Sequence, residues 1–139
     1  MIYGIGTDII TIKRIEEILE GKNANRFITK ILTTHEQQIF KNRGERANYL
    51  AKRFAAKEAF AKALGTGIGS TVSFQDVTIR NTEDGKPYFS VSEKLRQYLI
   101  SHHIKTAHLS ISDEKNQAVA YVVLELAEGE KKLEAIKGF

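Results

Sequence analysis

The chain has 139 residues, 42% of them hydrophobic and 27% charged, an ordinary composition for one globular domain that buries about two-thirds of its unfolded surface. It has no cysteine, which excludes disulfides and thiolate metal sites, and its longest strongly apolar run, Ala118 to Leu124, is far too short to cross a bilayer. Cytoplasmic residence without a membrane partner is therefore expected, and the net charge of +4 conceals a basic segment, Lys41 to Lys62, with seven basic residues against two acidic ones.

Residues 2–8 read as a strand, and 11–20 as an amphipathic helix with Thr11 as its N-cap. Two short helices follow at 25–31 and 35–42. A long Ala-rich helix runs from 45 to 64 and stops at Gly65, and 65–70 is a loop. Residues 72–74 and 77–80 look extended, 84–87 is a turn, 88–91 is extended and 93–101 is helical. Residues 108–112 and 118–126 form a hairpin around 113–117. Strands come mostly after helices rather than alternating with them, so the expected class is α+β, with a domain over 1–127 and a charged tail over 128–139.

Glu58 is the residue that asks for an explanation. At helical spacing Ala47, Leu50, Ala51, Phe54 and Ala61 form an apolar stripe, Glu58 falls inside it, and Lys57 and Lys62 flank it. A carboxylate facing a core is costly unless a cation meets it, whether a lysine, a metal ion or both. The plain account is an i,i+4 ion pair with Lys62, worth a few tenths of a kcal/mol. It explains the pairing but not the apolar face.

The first strand places Ile2, Gly4, Gly6 and Asp8 on one face. Its glycines let a ligand or a neighbouring element approach closely; taken alone, the strand favours a neighbouring element, with Asp8 capping a helix. Together Asp8 and Glu58 would suit Mg²⁺, which takes hard oxygen ligands alongside waters and phosphates. Gly65, Gly67 and Gly69 follow a helix instead of opening one, so Gly65 reads as a C-cap before it reads as a phosphate loop, although the loop can still offer N–H groups. On 108–112 the residues His108, Ser110 and Ser112 share a polar face, either a solvated edge or a wall for phosphate oxygens. His35, His102 and His103 read as surface residues. No nucleophile elbow, zinc-finger spacing or RNA-binding aromatic motif is present.

In order and spacing, Gly4-Ile-Gly-Thr-Asp8-Ile, Arg53-Phe-Ala-Ala-Lys-Glu-Ala-Phe-Ala-Lys62, Gly65-Thr-Gly-Ile-Gly69, Phe74-Gln-Asp76 and His108-Leu-Ser-Ile-Ser112 closely resemble the bacterial holo-acyl-carrier-protein synthases, a group of the 4′-phosphopantetheinyl transferases. The resemblance covers roughly residues 1–126. It implies transfer of phosphopantetheine from coenzyme A to a serine of apo acyl carrier protein, release of adenosine 3′,5′-bisphosphate, and a role in fatty acid biosynthesis. It also implies that Asp8 and Glu58 bind Mg²⁺, and that Lys62 neutralises the pyrophosphate or the leaving group. Arg53, Lys57, Gly65, Gly67 and His108 become candidate coenzyme A contacts. Lys13, Arg14, Lys22, Arg26 and Lys30, with Phe27, become the docking surface for an acidic carrier protein, with Arg14 and the Arg26-Phe27 pair the best matches. A homotrimer with shared active sites is implied as well. The proton acceptor stays open between Glu58 and a metal-bound water. Asp113 stands where many relatives have histidine, and the 128–139 tail has no family counterpart and is expected to be dispensable. Two rivals remain, a nucleic-acid-binding module suggested by the basic segment and a Mg²⁺-dependent nucleotide hydrolase; neither nucleic acid nor membrane is the expected partner.

Overall fold

The period-2 patterns at the two ends of the chain build one sheet. β1 (Ile2–Thr11) pairs antiparallel with β5 (Gln117–Leu126), and β5 pairs antiparallel with β4 (Ile104–Asp113), so the strand latest in sequence lies in the middle. The computed structural model describes residues 1–128. Apart from Glu128, the expected tail lies outside the described residues. Between β1 and β4 run α1 (Ile12–Glu20), α2 (Ala24–Ile31), α3 (Thr34–Lys41), α4 (Arg46–Leu64), the antiparallel pair β2 (Val77–Asn81) and β3 (Pro87–Val91), and α5 (Glu93–Ser101). This is the expected α+β arrangement.

The 19-residue α4 contains no Gly or Pro and ends at Gly65, whose φ of 81° is the left-handed cap that glycine adopts without strain. It lies across β1 at unusually short range. A Cβ on Gly4 would stand 2.0 Å from the Ala63 carbonyl oxygen, and one on Gly6 1.9 Å from that of Ala59. The glycines therefore serve a neighbouring element, as the strand pattern alone suggested. Ala55, Ala56, Ala59, Phe60 and Ala63 of α4 and Ala118, Ala120, Val122 and Leu124 of β5 are all buried in the same core.

Three expectations change. Helix α4 is buried around most of its circumference, not along one stripe, because the sheet covers one side and α2, α3 and the β2–β3 pair approach the others. Glu58 is only half-buried, and the fully buried charge of this helix is its neighbour Lys57. Residues 72–74 do not form a strand either. Phe74–Asp76 makes a 3₁₀ turn, closed by the Ser73 N–H and hydroxyl, which donate to Asp76 Oδ2 at 2.8 and 3.0 Å. β1 also continues past residue 8 to Thr11; Thr11 does occupy the N-cap position of α1, though its hydroxyl makes no capping bond.

Candidate active site

The alternation of β1 turns Asp8 toward α4, in the same direction as Gly4 and Gly6. The glycine contacts set the distance between the two backbones, and that distance brings Asp8 to the α4 segment bearing Glu58 and Lys62. Lys62 Nζ donates to Asp8 Oδ1 at 3.1 Å and to the Thr7 carbonyl at 3.0 Å. The Asp8 side chain is 16% exposed and that of Lys62 52%, so the lysine of the pair reaches solvent while the aspartate is largely covered. The lysine thus turns to Asp8, and the i,i+4 ion pair with Glu58 does not form. Asp8 caps no helix.

Among the described residues nothing donates a hydrogen bond or forms an ion pair with the Glu58 carboxylate. Burial raises its pKa above the ordinary glutamate value and the nearby Asp8 charge raises it further, against the lowering effect of Lys62. Asp8 and Glu58 are thus close enough to repel. Two neighbouring carboxylates are a donor set that a hard divalent cation accepts, with phosphate and water oxygens completing its shell. Within the described residues no cluster of three or more His, Cys, Asp or Glu side chains forms a metal cage.

Lys57 is removed from the candidate ligand contacts. Its ammonium is fully buried and its three protons go to the Ile31 carbonyl at 2.6 Å, Glu36 Oε1 at 2.6 Å and the Phe74 carbonyl at 3.1 Å. No proton remains for a phosphate. Glu36, equally buried, also accepts from the Thr33 and Ile79 N–H groups, both at 2.9 Å. Burial lowers the Lys57 pKa, and the Glu36 carboxylate opposes that shift.

The glycines of the loop after α4 are likewise corrected as N–H donors. Gly65 N–H donates to the Lys62 carbonyl, Gly67 to Ala61 and Gly69 to Val72, so these groups are engaged within the chain. Gly65 and Gly67 both have positive φ and leave a bare, turned backbone beside Lys62.

Arg53 and His108 make their contacts with groups other than the two carboxylates. Arg53 lies 4.1 Å over the Tyr49 ring and donates to Asn81 Oδ1 at 3.1 Å, in a hollow of about 140 Å³ that also includes Lys52, Gly85, Pro87, Ile111 and Asp113. Burial lowers its pKa. His108 pairs with Glu125 on the sheet face opposite α4. By register that face also presents Ile5, Ile9 and Tyr121, which are 70%, 60% and 58% exposed. Asp113 accepts from Asn48 Nδ2 at 2.8 Å, and Lys52 lies 3.9 Å from it.

On the side of α1 and α2, Lys13, Arg14 and Arg26 are exposed. Arg26 and Phe27 line a hollow of about 390 Å³ with Ile18, Asn23 and Lys30. Its floor continues toward α4, since the Phe27 ring lies 6.2 Å from that of Phe54, one turn before Glu58.

Residues 4–122 match the family model of the 4′-phosphopantetheinyl transferase superfamily. The chain belongs to this superfamily. Over 125 residues it is 63% identical to the holo-[acyl-carrier-protein] synthase of Ruthia magnifica, covering 90% of this chain and 98% of that one. The crystal structure of holo-[acyl-carrier-protein] synthase from Neisseria meningitidis superposes with a TM-score of 0.86 at 48% identity, covering 90% of this chain and 99% of that one. A Bacillus anthracis holo-(acyl-carrier-protein) synthase, solved in complex with CoA (3′,5′-ADP), gives a TM-score of 0.77 at 43% identity over 91% and 99% of the two chains.

Within this transferase framework, sequence reading gave no role to Glu36 or Asn81, nor to Gln75 within the Phe74-Gln-Asp76 motif. Thr33-x-x-Glu36 carries a capping-box signature, and the box is present at the start of α3. That pattern marks a helix start; nothing in it says that the same carboxylate receives a lysine 21 residues away.

Proposed function

We propose that the chain transfers 4′-phosphopantetheine from coenzyme A to a serine hydroxyl of apo acyl carrier protein, releasing adenosine 3′,5′-bisphosphate. The observation that carries this reading is the convergence of Asp8, Glu58 and Lys62, in a chain of this superfamily. The coenzyme A complex of the Bacillus anthracis relative supports the choice of donor. The product would be the holo carrier used in fatty acid synthesis.

In the reaction the serine Oγ bonds to the β-phosphorus of the coenzyme A pyrophosphate as the bridging P–O bond breaks. Asp8 and Glu58 would hold a magnesium ion, whose bound charge neutralises the pyrophosphate. Lys62, more than half exposed, offers a second cation to the departing phosphate oxygen. The serine proton would go either to Glu58, whose carboxylate receives no hydrogen bond among the described residues, or to a water oriented by the two carboxylates. Positioning and charge neutralisation supply most of the acceleration in such a transfer, so no covalent nucleophile is required.

The carrier would dock on α1 and α2, with Arg26 and Phe27 at the hollow and Lys13 and Arg14 beside it. Exposed charges of this kind steer encounter with an acidic partner. Arg53, His108, Gly65 and Gly67 remain candidate coenzyme A contacts, but His108 lies on the sheet face opposite Asp8 within one chain. A homotrimer that covers the Ile5–Ile9–Tyr121 face would bring residues of two chains to one ligand. Its support is that exposed apolar face on a folded domain.

Mass spectrometry of apo acyl carrier protein after incubation with the chain, coenzyme A and magnesium tests the reading. A phosphopantetheine adduct on serine that EDTA abolishes is the expected result. Consumption of coenzyme A without a protein acceptor would instead identify a hydrolase. Salt-sensitive oligonucleotide binding with no adduct would identify a nucleic-acid module.

A further inference from the structure

The last turn of a helix leaves carbonyls without intrahelical partners, and these are usually met by water or a cap. At the end of α2 they are met by side chains from three other elements. Gln75 Nε2, in the 3₁₀ turn, reaches the carbonyls of Thr29 at 2.8 Å, Lys30 at 3.3 Å and Leu32 at 2.9 Å. Gln37 Nε2 of α3 also donates to the Leu32 carbonyl at 2.9 Å. Lys57 of α4 takes the remaining one, Ile31, at 2.6 Å.

Each of these donors is fixed in turn. Lys57 is held from its other sides by Glu36 and the Phe74 carbonyl, and it immediately precedes Glu58 on α4. Gln75 lies in the turn that Ser73 and Asp76 close. The end of α2 therefore has little freedom to slide or rotate against the helix that carries Glu58 and Lys62. Arg26, Phe27 and Lys30, which line the hollow, belong to α2, and the Phe27–Phe54 contact joins the same two helices.

We propose that Lys57 and Gln75 are positioning residues that lock the docking helix α2 to the catalytic helix α4, so that a carrier serine seated on one meets Glu58 on the other. The inference rests on the proposed function and deepens it. Neither residue touches substrate. Their effect is on the distance between two surfaces, and it acts on the carrier half of the reaction while coenzyme A binding is preserved.

Gln75→Ala is the informative variant, because Gln75 is exposed and its loss leaves the core unchanged. Lys57→Met and the doubly neutral Glu36→Gln with Lys57→Met test the buried end. Transfer is measured with the full chain, apo carrier protein, coenzyme A and magnesium, well below each variant's Tm. For Gln75→Ala, kcat/KM for the carrier is expected to fall about 5- to 10-fold, with KM for coenzyme A within twofold of wild type. Gln75→Glu, which keeps the size but cannot donate, should lose at least as much, whereas a variant keeping an amide donor, Gln75→Asn, should recover part of the rate. For the folded Lys57 variants kcat should fall at least 10-fold with coenzyme A affinity, measured by calorimetry, unchanged.

Wild-type carrier kinetics in Gln75→Ala, alongside active wild-type enzyme, would overturn the inference alone. So would a parallel loss of carrier and coenzyme A parameters. If the Lys57 variants do not fold, the Gln75 series decides the matter. A wild-type chain that never modifies the carrier overturns the proposed function, and the inference with it.

Discussion

Lys62 Nζ donates to Asp8 Oδ1 at 3.1 Å, across 54 residues of sequence, while the glutamate one turn before it on the same helix receives no donor among the described residues. The cation is thus shared between strand and helix, and the two carboxylates keep a net negative charge between them. That charge suits a divalent ion, and its cation suits a phosphate. Asp8→Ala and Glu58→Ala should each lower kcat at least 100-fold, and Lys62→Ala about 10- to 100-fold. Steady-state transfer assays across a magnesium titration check this. Near-normal turnover of Asp8→Ala at limiting magnesium would contradict the metal assignment.

Glu58 should behave as a site held against the interest of the fold. Its pKa in the folded chain is raised, so its stabilising contribution is complete where it is protonated, below about pH 4, and is lost as pH rises through the folded value. In metal-free buffer near neutral pH, Glu58→Gln should therefore unfold at a higher temperature than wild type. Half-burial limits the gain to a few tenths of a kcal/mol. Thermal melts from pH 3 to 8 with EDTA present should show the two proteins converging at the acid end. A Glu58→Gln protein less stable than wild type at pH 7 would contradict this account.

The close approach of α4 to β1 gives a steric prediction. A methyl group at Gly6 would sit 1.9 Å from a helix carbonyl oxygen, a distance that neither backbone can absorb without moving. Gly6→Ala should cost about 3 kcal/mol or more and should also separate Asp8 from Glu58, so activity falls even where the variant folds. Urea unfolding and transfer assays read the two losses. Gly44→Ala, where an added Cβ meets nothing within 4 Å, is the control and should be near neutral.

Asp76 supplies a pH dependence of opposite sign. Although burial alone would raise its pKa, hydrogen bonds from Ser73 and Ser92 and the charge of Lys94 bring it below the ordinary aspartate value. Its stabilisation is present above about pH 4 and is lost as pH falls through the depressed folded value. Asp76→Ala should cost about 1–2 kcal/mol at neutral pH, with the difference shrinking in acid. It should also loosen the turn that carries Gln75. Melts at pH 7 and pH 3 compare the two regimes.

What the sequence revealed followed from local rules, and what it hid depended on tertiary partners. Gly65 as a C-cap, the glycines of β1 and the alternation of His108, Ser110 and Ser112 are consequences of backbone geometry, and each appears as expected. The choice between Lys57 and Glu58 as the buried charge was not local. Helix periodicity assumes one apolar face, whereas α4 is covered on several sides and its buried lysine is made tolerable by Glu36, Ile31 and Phe74, none of them neighbours in sequence. Lys62 likewise found Asp8 in place of its i,i+4 partner. The motif order could place Asp8 and Glu58 together only through a resemblance; the packing of Gly4 and Gly6 on Ala63 and Ala59 gives the physical reason.

The exposed face of the three-stranded sheet supports a prediction about assembly. Ile5, Ile9 and Tyr121 are each more than half exposed on strands whose other face is core, and His108 and Glu125 pair on the same face. Burying such a cluster against another copy would gain about 25 cal/mol for every square ångström of apolar surface removed from water. It would also bring the His108 of one chain toward a neighbour. If the proposed trimer forms through this face, Ile9→Asp or Tyr121→Arg should shift it to monomer in light scattering, with circular dichroism unchanged, because neither side chain supports the core of its own chain. Transfer activity should fall with assembly, since His108 lies on the sheet face opposite Asp8 within one chain. A fully active monomer in either variant would show that one chain is sufficient for the site.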